Sequence, residues 1–552
     1  MRVTCFLRLL VLVASVSPIP LPVFGQTAAA FLESGDRKLA AKNYDGAIAD
    51  LTRGIELDPK LAAAYTSRGN ARYDKGDLDG AIADFTQVIE LDPKDTNAYY
   101  NRGVAKRAKG DLDGAISDST RGIELDPKFA QAYYNRGNAR YDKGDLDGAI
   151  ADSTRAIELD PKSAPAYINR GAARHSKGDL DGAIADSTRA IELDSKLAPA
   201  YTSRGAARHS KGDLDGAIVD YTRAMELDPK SGLAYYNRGT ARHSKGDLDG
   251  AIADFTRAIE LAPKLAPAYT NRGLARHSKG DLDGAIADST RAIELAPKLA
   301  AAYTIRGNAR YDKGDLDGAI ADSTRAIELA PKSAPAHTNR GIARYRKGDL
   351  DGAILDYTRA IELAPKSAPA YINRGNARRV KGDLEGAIAD YTRGIELNPG
   401  RAQTLKARGS IHFYLGEFAA AQDDLRTALR SDPTDSYAAI WLYLAQARDG
   451  DDTLARGELA KNTTSLNLAV WPGAVITFYL SRSTDSALLS SANNSDTKKD
   501  REQHCEVYFY LGEYAMIRGY RNEAMHLFQQ AIETAVTNFV EYTGAQVELK
   551  RF

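Results

Sequence analysis

The feature that most constrains this chain is a 34-residue period that runs from residue 28 to residue 435 in twelve consecutive copies. With the positions of each copy numbered 1 to 34, position 8 is glycine and position 20 is alanine in all twelve copies, and position 32 is proline in eleven. A period of this length is typical of supersecondary units that bury their apolar faces only by stacking on one another. The sequence therefore predicts one repeat array over most of the chain.

Each copy predicts a hairpin of two helices. In copy two, residues 63–75 form the first helix, and Gly76 supplies the left-handed residue that ends it. Asp77 caps the second helix, whose apolar residues recur at helical spacing until Pro93 prevents continuation. Small residues at positions 8, 20 and 27 allow the two helices to approach closely. The segment 28–435 is thus predicted to be entirely helical.

The same positions carry a resemblance. The residues that carry it in copy two are Tyr65, Gly69, Ala81, Val88 and Pro93. They stand at the main positions of the tetratricopeptide repeat (TPR) family, and all of 28–435 resembles that family. The resemblance implies an all-α, right-handed superhelical solenoid of helix-turn-helix repeats. It also implies a non-enzymatic protein that binds other proteins or extended peptides.

Two positions depart from the family pattern. Position 7 is arginine in eleven copies, and position 23 is aspartate in all twelve. We expect a structural ladder in which each arginine forks onto a carboxylate of a neighbouring helix, although a catalytic or phosphate-binding row is the alternative. Position 24, usually aromatic, is serine in five copies, and there we expect weaker packing between helices. These serines are Ser119, Ser153, Ser187, Ser289 and Ser323.

The candidate binding residues lie in the first helix of each copy. In TPR arrays, positions 2, 5, 6, 9, 12 and 13 of that helix line the concave surface, and asparagine there can both donate to and accept from the backbone of an extended peptide. Tyrosine at position 5 adds flat contact area. The predicted peptide-binding residues are Asn101, Asn135, Asn169, Asn237, Asn271, Asn339 and Asn373 at position 6, Tyr100, Tyr134 and Tyr236 at position 5, and Asn138, Asn308 and Asn376 at position 9.

Several functional classes find no support in the sequence. Lys plus Arg and Asp plus Glu both number 74, which argues against general nucleic-acid binding. A histidine row at position 12, from His175 to His277, repeats once per copy at about 10 Å, too far apart for two imidazoles to share a zinc ion. The Asp-x-Asp-Gly turns lack calcium-loop spacing, and no nucleophile elbow or phosphate-binding loop is present. We therefore expect no catalytic residue, metal or cofactor.

The N-terminus predicts export. Arg2 and Arg8 accompany a short apolar run, which proline residues and Gly25 follow, as in a secretory signal peptide over residues 1–25. The run is shorter than the ~20 residues of a membrane span, so no transmembrane segment is expected. The expected location is the periplasm or the cell envelope.

The C-terminal part is less regular. We predict an irregular helical linker region over 436–504, then a degenerate repeat and a capping helix over 505–552. Strings such as Trp441–Ala445 and Phe509–Gly512 resemble the C-terminal half of the NlpI-type envelope TPR lipoproteins, although this chain lacks their lipid-attachment cysteine. That family is dimeric and brings a periplasmic protease to cell-wall hydrolases. The resemblance implies an envelope adaptor, with a homodimer and such recruitment as its further implications; the alternative is a scaffold that binds peptidoglycan or other carbohydrate.

Overall fold

A computed structural model describes residues 27–537 and 539–552, so the predicted signal peptide lies outside the described residues. Within those ranges the regular secondary structure is helical throughout, and no strand occurs. This confirms the all-α prediction. The described part of the chain divides into two compact units, of which the first ends at Leu261 and the second begins at Ala262.

The first unit contains seven helical hairpins, one for each of the first seven repeats. Its helices are α1 Ala28–Ala40, α2 Tyr44–Leu57, α3 Ala62–Lys75, α4 Leu78–Leu91, α5 Thr96–Lys109, α6 Leu112–Leu125, α7 Ala130–Lys143, α8 Leu146–Leu159, α9 Ala164–Lys177, α10 Leu180–Leu193, α11 Ala198–Lys211, α12 Leu214–Leu227, α13 Gly232–Lys245 and α14 Leu248–Leu261.

The second unit contains the other five predicted repeats, followed by seven more helices. Its helices are α15 Ala266–Ser278, α16 Leu282–Leu295, α17 Ala300–Lys313, α18 Leu316–Leu329, α19 Ala334–Lys347, α20 Leu350–Leu363, α21 Ala368–Lys381, α22 Leu384–Leu397, α23 Ala402–Leu415, α24 Phe418–Ser431, α25 Ser436–Arg448, α26 Asp452–Asn462, α27 Gly473–Tyr479, α28 Asp485–Ser491, α29 Thr497–Ile517, α30 Arg521–Glu533 and α31 Val540–Leu549.

The turn within each hairpin forms as predicted. Gly76 has a φ of 90°, in the left-handed region that ends the first helix. The Asp77 side chain then accepts a hydrogen bond of 3.0 Å from the Gly80 N–H and caps the second helix. In the first repeat Lys42 takes the glycine's place, and it still has a φ of 58°.

The glycine at position 8 is required by close packing. A Cβ on Gly69 would lie 2.7 Å from the Phe85 ring at position 24 of the same repeat. Where position 24 is serine, no ring fills this seam between the two helices. The hydroxyls of Ser153, Ser187 and Ser289 are buried without a hydrogen-bond partner in the described part of the chain. An unsatisfied buried hydroxyl costs about 1–3 kcal/mol, so these seams carry both less apolar contact and a polar penalty.

The predicted arginine ladder is present, and its role is structural. Arg204 Nε and Nη2 donate to the two oxygens of Asp220 at 3.0 and 2.7 Å, and its Nη1 donates to Thr188 Oγ1 of the preceding repeat at 3.3 Å. Arg208 adds a bond of 2.8 Å to the same carboxylate. Arg204 therefore joins the two helices of its own repeat to the repeat before it, and each of its three guanidinium nitrogens donates a hydrogen bond.

The region predicted to be irregular begins with a further hairpin. Helices α25 and α26 are joined at Gly450, whose φ is 111°, and Asp451 caps α26 through the Leu454 N–H. The sequence predicts a helix over 437–448 and a second short helix near 454–461, and both form. Their pairing as a repeat hairpin was not predicted, because Tyr443 takes the place of the glycine at position 8. The region's other predicted boundary, at 504/505, falls inside α29, because Asp496 caps a helix that begins at Thr497.

Helices α29 and α30, where the degenerate repeat from residue 505 is predicted, pack together as the two helices of a repeat do. A Cβ on Gly512 would lie 2.6 Å from the Phe528 ring, as at Gly69 and Phe85, and Gly519 has a φ of 80° between α29 and α30. The chain then returns in α31, which packs on α23, α29 and α30. The predicted capping helix is therefore α31, although it covers the first-helix face of repeat twelve as well as the end of the degenerate hairpin.

Candidate polypeptide-binding surface

The predicted binding positions lie side by side on one surface of each unit. In the first unit, Asn169 Nδ2 at position 6 donates to Asn138 Oδ1 at position 9 of the preceding repeat. In the second unit, the same pairing joins Asn339 Nδ2 to Asn308 Oδ1 at 2.8 Å. Successive first helices thus present positions 6 and 9 together. We call this surface, made of positions 2, 5, 6, 9, 12 and 13, the inner face.

The asparagines of position 6 are not equivalent. Asn101, Asn237 and Asn373 are half-buried, and their side chains make no hydrogen bond to any described residue. Their amides can each donate and accept at once, which is what an extended backbone requires. Asn169 and Asn339 use a donor within the array, and Asn271 also has a partner. Three members of the predicted row are therefore free for a ligand.

Asn135 departs from the prediction. Its side chain is only 2% exposed, and its Nδ2 donates to Ser119 Oγ at 2.9 Å. The serine at position 24 leaves the space that an aromatic ring fills in other repeats, and Asn135 turns into that space beside Gly103. Asn135 is thus part of the seam between repeats and does not line the inner face.

The predicted tyrosines add aromatic area at the same surface. Tyr100 packs edge-on against Phe129 with ring centroids 5.8 Å apart, and Tyr236 lies 5.9 Å from Phe255. Tyr134 packs with its neighbours around Ile157. Burial raises the pKa of Tyr100, with Tyr134 the next contributor, so the Tyr100 hydroxyl stays protonated as a hydrogen-bond donor at neutral pH.

Position 9 contributes through Asn138, Asn308 and Asn376. Two of these accept from the next repeat, and Asn376 Oδ1 accepts from the Tyr391 hydroxyl at 2.7 Å. In each of the three, the carbonyl oxygen is the occupied atom. The Nδ2 atoms of these three asparagines donate no hydrogen bond to a described residue and are available to a ligand.

The histidine row belongs to a second ladder along the inner face. Position 12 of one repeat contacts position 13 of the next: His175 Nε2 lies 2.8 Å from Ser210 Oγ, and His277 Nε2 lies 2.7 Å from Asp312 Oδ2. Arg107 and Asp142 form an ion pair of 2.7 Å in the same register. Burial lowers the pKa of His209. His175, His209 and His277 each face a single partner, whereas the buried Nε2 of His243 has no hydrogen-bond partner in the described part of the chain. No group of three or more metal-ligating side chains occurs in residues 27–537 and 539–552.

Two cavities open on the inner face of the second unit. One, of about 210 Å³, lies among repeats eight to ten and is lined by His277, Asn308, Tyr311, Asp312 and Asn339 among others. The other, of about 340 Å³, lies where positions 2, 5, 6 and 9 of repeat twelve meet α25, α29 and α31. Sequence reasoning missed the second cavity, since its walls come from residues 403 to 541 and no local motif marks them.

Together these features define an all-helical repeat protein with an extended polar and aromatic inner face. Models of the TPR repeat match residues 69–106, 105–144, 137–178, 205–246 and 307–348, and further tetratricopeptide repeat models match 164–197, 232–265, 266–299, 338–402 and 406–462. These matches together extend over more than half of the chain, which belongs to the tetratricopeptide repeat family. Proteins of this family generally mediate protein–protein interactions.

This chain is similar to solved structures of several other proteins. MamA is 33% identical over 31% of this chain and 93% of its own, with a TM-score of 0.27. Cut9 in the APC/C hetero-tetramer Cut9–Hcn1 is 16% identical over 76% of this chain and 97% of that chain, with a TM-score of 0.41. Yeast Tom70 is 18% identical over 74% of this chain and 97% of its own, with a TM-score of 0.34.

Across residues 27–537 and 539–552, no helix combines the length and apolar character needed to cross a bilayer.

Proposed function

We propose that this protein is a non-enzymatic scaffold of the cell envelope that holds polypeptide segments along its inner face. The observation that carries the proposal is the set of free amides at Asn101, Asn237 and Asn373, which recurs on the first-helix surface in both units. An amide that donates and accepts can pair with a peptide backbone of any sequence. The neighbouring tyrosines supply apolar area for the side chains.

The structural role of the other rows supports this assignment. The arginines of position 7 are bonded to Asp and Thr, and several residues of position 12 pair with position 13 of the next repeat. These contacts hold the first helices in a fixed register, so that the free asparagines are preorganised for a ligand. Binding to such a surface needs little rearrangement of the protein.

The envelope location rests on the signal-like residues 1–25, and the adaptor role on the NlpI-type strings of the C-terminal part. In this role the protein brings a bound partner, such as a protease or a cell-wall hydrolase, to other proteins of the envelope. A homodimer is compatible with this function. We regard partner recruitment and dimerisation as parts of the proposal.

The proposal is tested by measuring how changes at the free asparagines alter the affinity for a protein partner. Affinity capture from an envelope extract should return defined protein partners, and the affinity of a recovered partner is then measured by calorimetry. Replacing Asn101, Asn237 and Asn373 by alanine removes three backbone-pairing amides, so we expect a loss of affinity of about tenfold or more.

The matched control replaces three exposed residues on the second helices of the same repeats by alanine. These residues are Glu124, Glu260 and Glu396. This control should bind the partner as the unsubstituted protein does. Unaltered affinity in the asparagine variant, or an equal loss in the control, would contradict the proposed surface.

Carbohydrate binding is the second candidate, because the cavity lined by Tyr311, Asn308, Asn339 and Asp312 offers a ring and several hydrogen-bonding groups. Sedimentation with purified peptidoglycan, without added protein, distinguishes the two. Protein-free co-sedimentation that is lost on changing Tyr311 to alanine would favour the carbohydrate function.

A further inference from the structure

The cavity at repeat twelve differs from the rest of the inner face in its chemistry. It is formed by Lys406, Ser410 and neighbouring residues of α23, by Tyr437 and Trp441 of α25, by Glu506 of α29 and by Val540 and Glu541 of α31. Its volume of about 340 Å³ falls within the range of small-ligand sites. The walls are aromatic, and two carboxylates face the interior.

Both carboxylates are held in place by neutral donors. Glu506 is 5% exposed and accepts from the Tyr437 hydroxyl at 3.1 Å and from Trp471 Nε1 at 2.7 Å. Glu541 is 4% exposed and accepts from the Tyr510 hydroxyl at 2.7 Å. Neither glutamate forms an ion pair with a cation within residues 27–537 and 539–552. Two buried carboxylates that lack a cationic partner are costly unless something else neutralises them.

The nearby cations are already used. Lys406 Nζ is bonded to Asp435 at 2.7 Å and stands over the Tyr437 ring. Arg379 is 6% exposed and donates to Thr543 Oγ1 at 3.2 Å and to the Phe539 carbonyl. Lys406 and Arg379 together carry two positive charges, whereas Asp435, Glu506 and Glu541 carry three negative ones when ionised; the charge of Glu502 is paired with Lys498. The site therefore has room for one more positive charge.

We propose that this cavity binds an organic cation, an ammonium or guanidinium group that lies between Glu506 and Glu541 against the aromatic wall. Both carboxylates then gain a charged hydrogen-bond donor, and the indole of Trp441 contributes a cation–π contact. The cation comes from a lysine or arginine side chain of a bound polypeptide, or from a free small amine. This inference is independent of the asparagine row, since the cavity has its own walls and its own charges.

Without a bound cation, the pair of carboxylates at Glu506 and Glu541 should take up a proton. Burial, and then the neighbouring Glu541, raises the pKa of Glu506, and burial raises the pKa of Glu541. A cation favours the ionised carboxylates, so binding releases a proton and tightens as the pH rises above the ordinary titration range of a glutamate. The other charged or titratable groups that face this pair are Glu502, Cys505 and Tyr510 of α29, Tyr437 of α25, Lys406 of α23 and Arg379 of α21.

Tryptophan fluorescence of the full chain reports binding directly, because its two tryptophans, Trp441 and Trp471, both belong to this site. Nα-acetyl-lysinamide and agmatine serve as the ammonium and guanidinium probes, and Nα-acetyl-norleucinamide is the neutral analogue of the first. We expect saturable binding of at least one cation, affinity weaker by about tenfold or more for the norleucine compound, and tighter binding at pH 8 than at pH 5. Equal binding of the neutral analogue, or no saturation by either cation, would overturn the proposal.

Variants locate the site. Glu506→Gln with Glu541→Gln keeps the shape and removes both charges, so cation affinity should fall about tenfold or more and lose its pH dependence. The control, Glu523→Gln with Glu533→Gln, makes the same charge change at exposed positions of α30 and should leave binding unchanged. If the first variant misfolds, calorimetry of the unsubstituted chain in two buffers tests the proposal instead, because it measures the proton released on cation binding. The absence of a released proton would contradict the proposal.

A binding measurement with a lysine-containing peptide distinguishes the two sources of the cation. A Gly-Gly-Lys-Gly-Gly peptide with blocked ends that binds more tightly than Nα-acetyl-lysinamide indicates a polypeptide side chain, and the reverse order indicates a free amine. Loss of peptide binding in the Asn101, Asn237 and Asn373 variant, with retained binding of Nα-acetyl-lysinamide, would separate failure of the groove from failure of the cavity.

Discussion

Replacing Asp220 by alanine should lower the free energy of unfolding by about 3–5 kcal/mol. The Asp220 side chain is 2% exposed and accepts from both Arg204 and Arg208. Alanine leaves two largely buried guanidinium groups without this carboxylate, and the loss of one partner of a buried ion pair is among the largest single-residue effects. Urea unfolding gives the overall change, and hydrogen exchange should show the lowered protection centred on α11 and α12.

The matched control is Asp215→Ala on the same helix. Asp215 is 78% exposed and pairs with Lys245 of the next repeat at the surface. Exposed ion pairs contribute little to stability, so this variant should unfold close to the unsubstituted protein. Equal destabilisation by the two substitutions would show that the buried ladder has no special role.

Gly544→Ala should also be strongly destabilising, although alanine is normally the better helix former. A Cβ on Gly544 would lie 2.6 Å from the Tyr414 ring and 2.7 Å from the Phe509 ring, and both rings are fully buried. Neither ring has space to withdraw, so α31 must shift away from α23 and α29. Overpacking of this kind costs about 1–3 kcal/mol or more. Tryptophan fluorescence should follow the change, because Trp441 packs on both rings.

Gly457→Ala is the same substitution in a place without such contact. Gly457 lies within α26, and a Cβ there meets nothing within 4 Å. Here alanine should raise the free energy of unfolding by up to about 1 kcal/mol. Opposite signs for the two substitutions, in urea unfolding of the full chain, would establish that α31 is tightly packed; the same sign for both would contradict it.

Most of the fold could be predicted because local rules and packing agree within each repeat. The glycine at position 15 ends one helix, the aspartate at position 16 starts the next, and the glycine at position 8 admits the ring of position 24. Both helices of the hairpin α25–α26 were predicted, but their pairing as a repeat was not, because that glycine is replaced there by Tyr443. Its ring instead stacks on Tyr479, with centroids 4.4 Å apart, a contact that repeat periodicity does not reveal.

The candidate site was predictable only in part. The resemblance to TPR arrays predicted the positions of the inner face, and the arginine ladder followed from the pairing of positions 7 and 23. Which asparagines are free depends on neighbours: Asn135 turns into the gap above Ser119, whereas Asn101 does not. The cavity with Glu506 and Glu541 depends on the return of α31 to repeat twelve, and that return is set by long-range packing.

Site-specific photo-crosslinking tests the central claim most directly. A photoreactive residue is placed singly at Asn101 or Asn237 on the inner face, and at Glu124 or Glu260 on the second helices of the same repeats. If polypeptides bind along the inner face, irradiation in an envelope extract should trap the same partner from both asparagine positions and from neither glutamate position. Trapping from the glutamate positions alone, or equally from all four, would contradict the account.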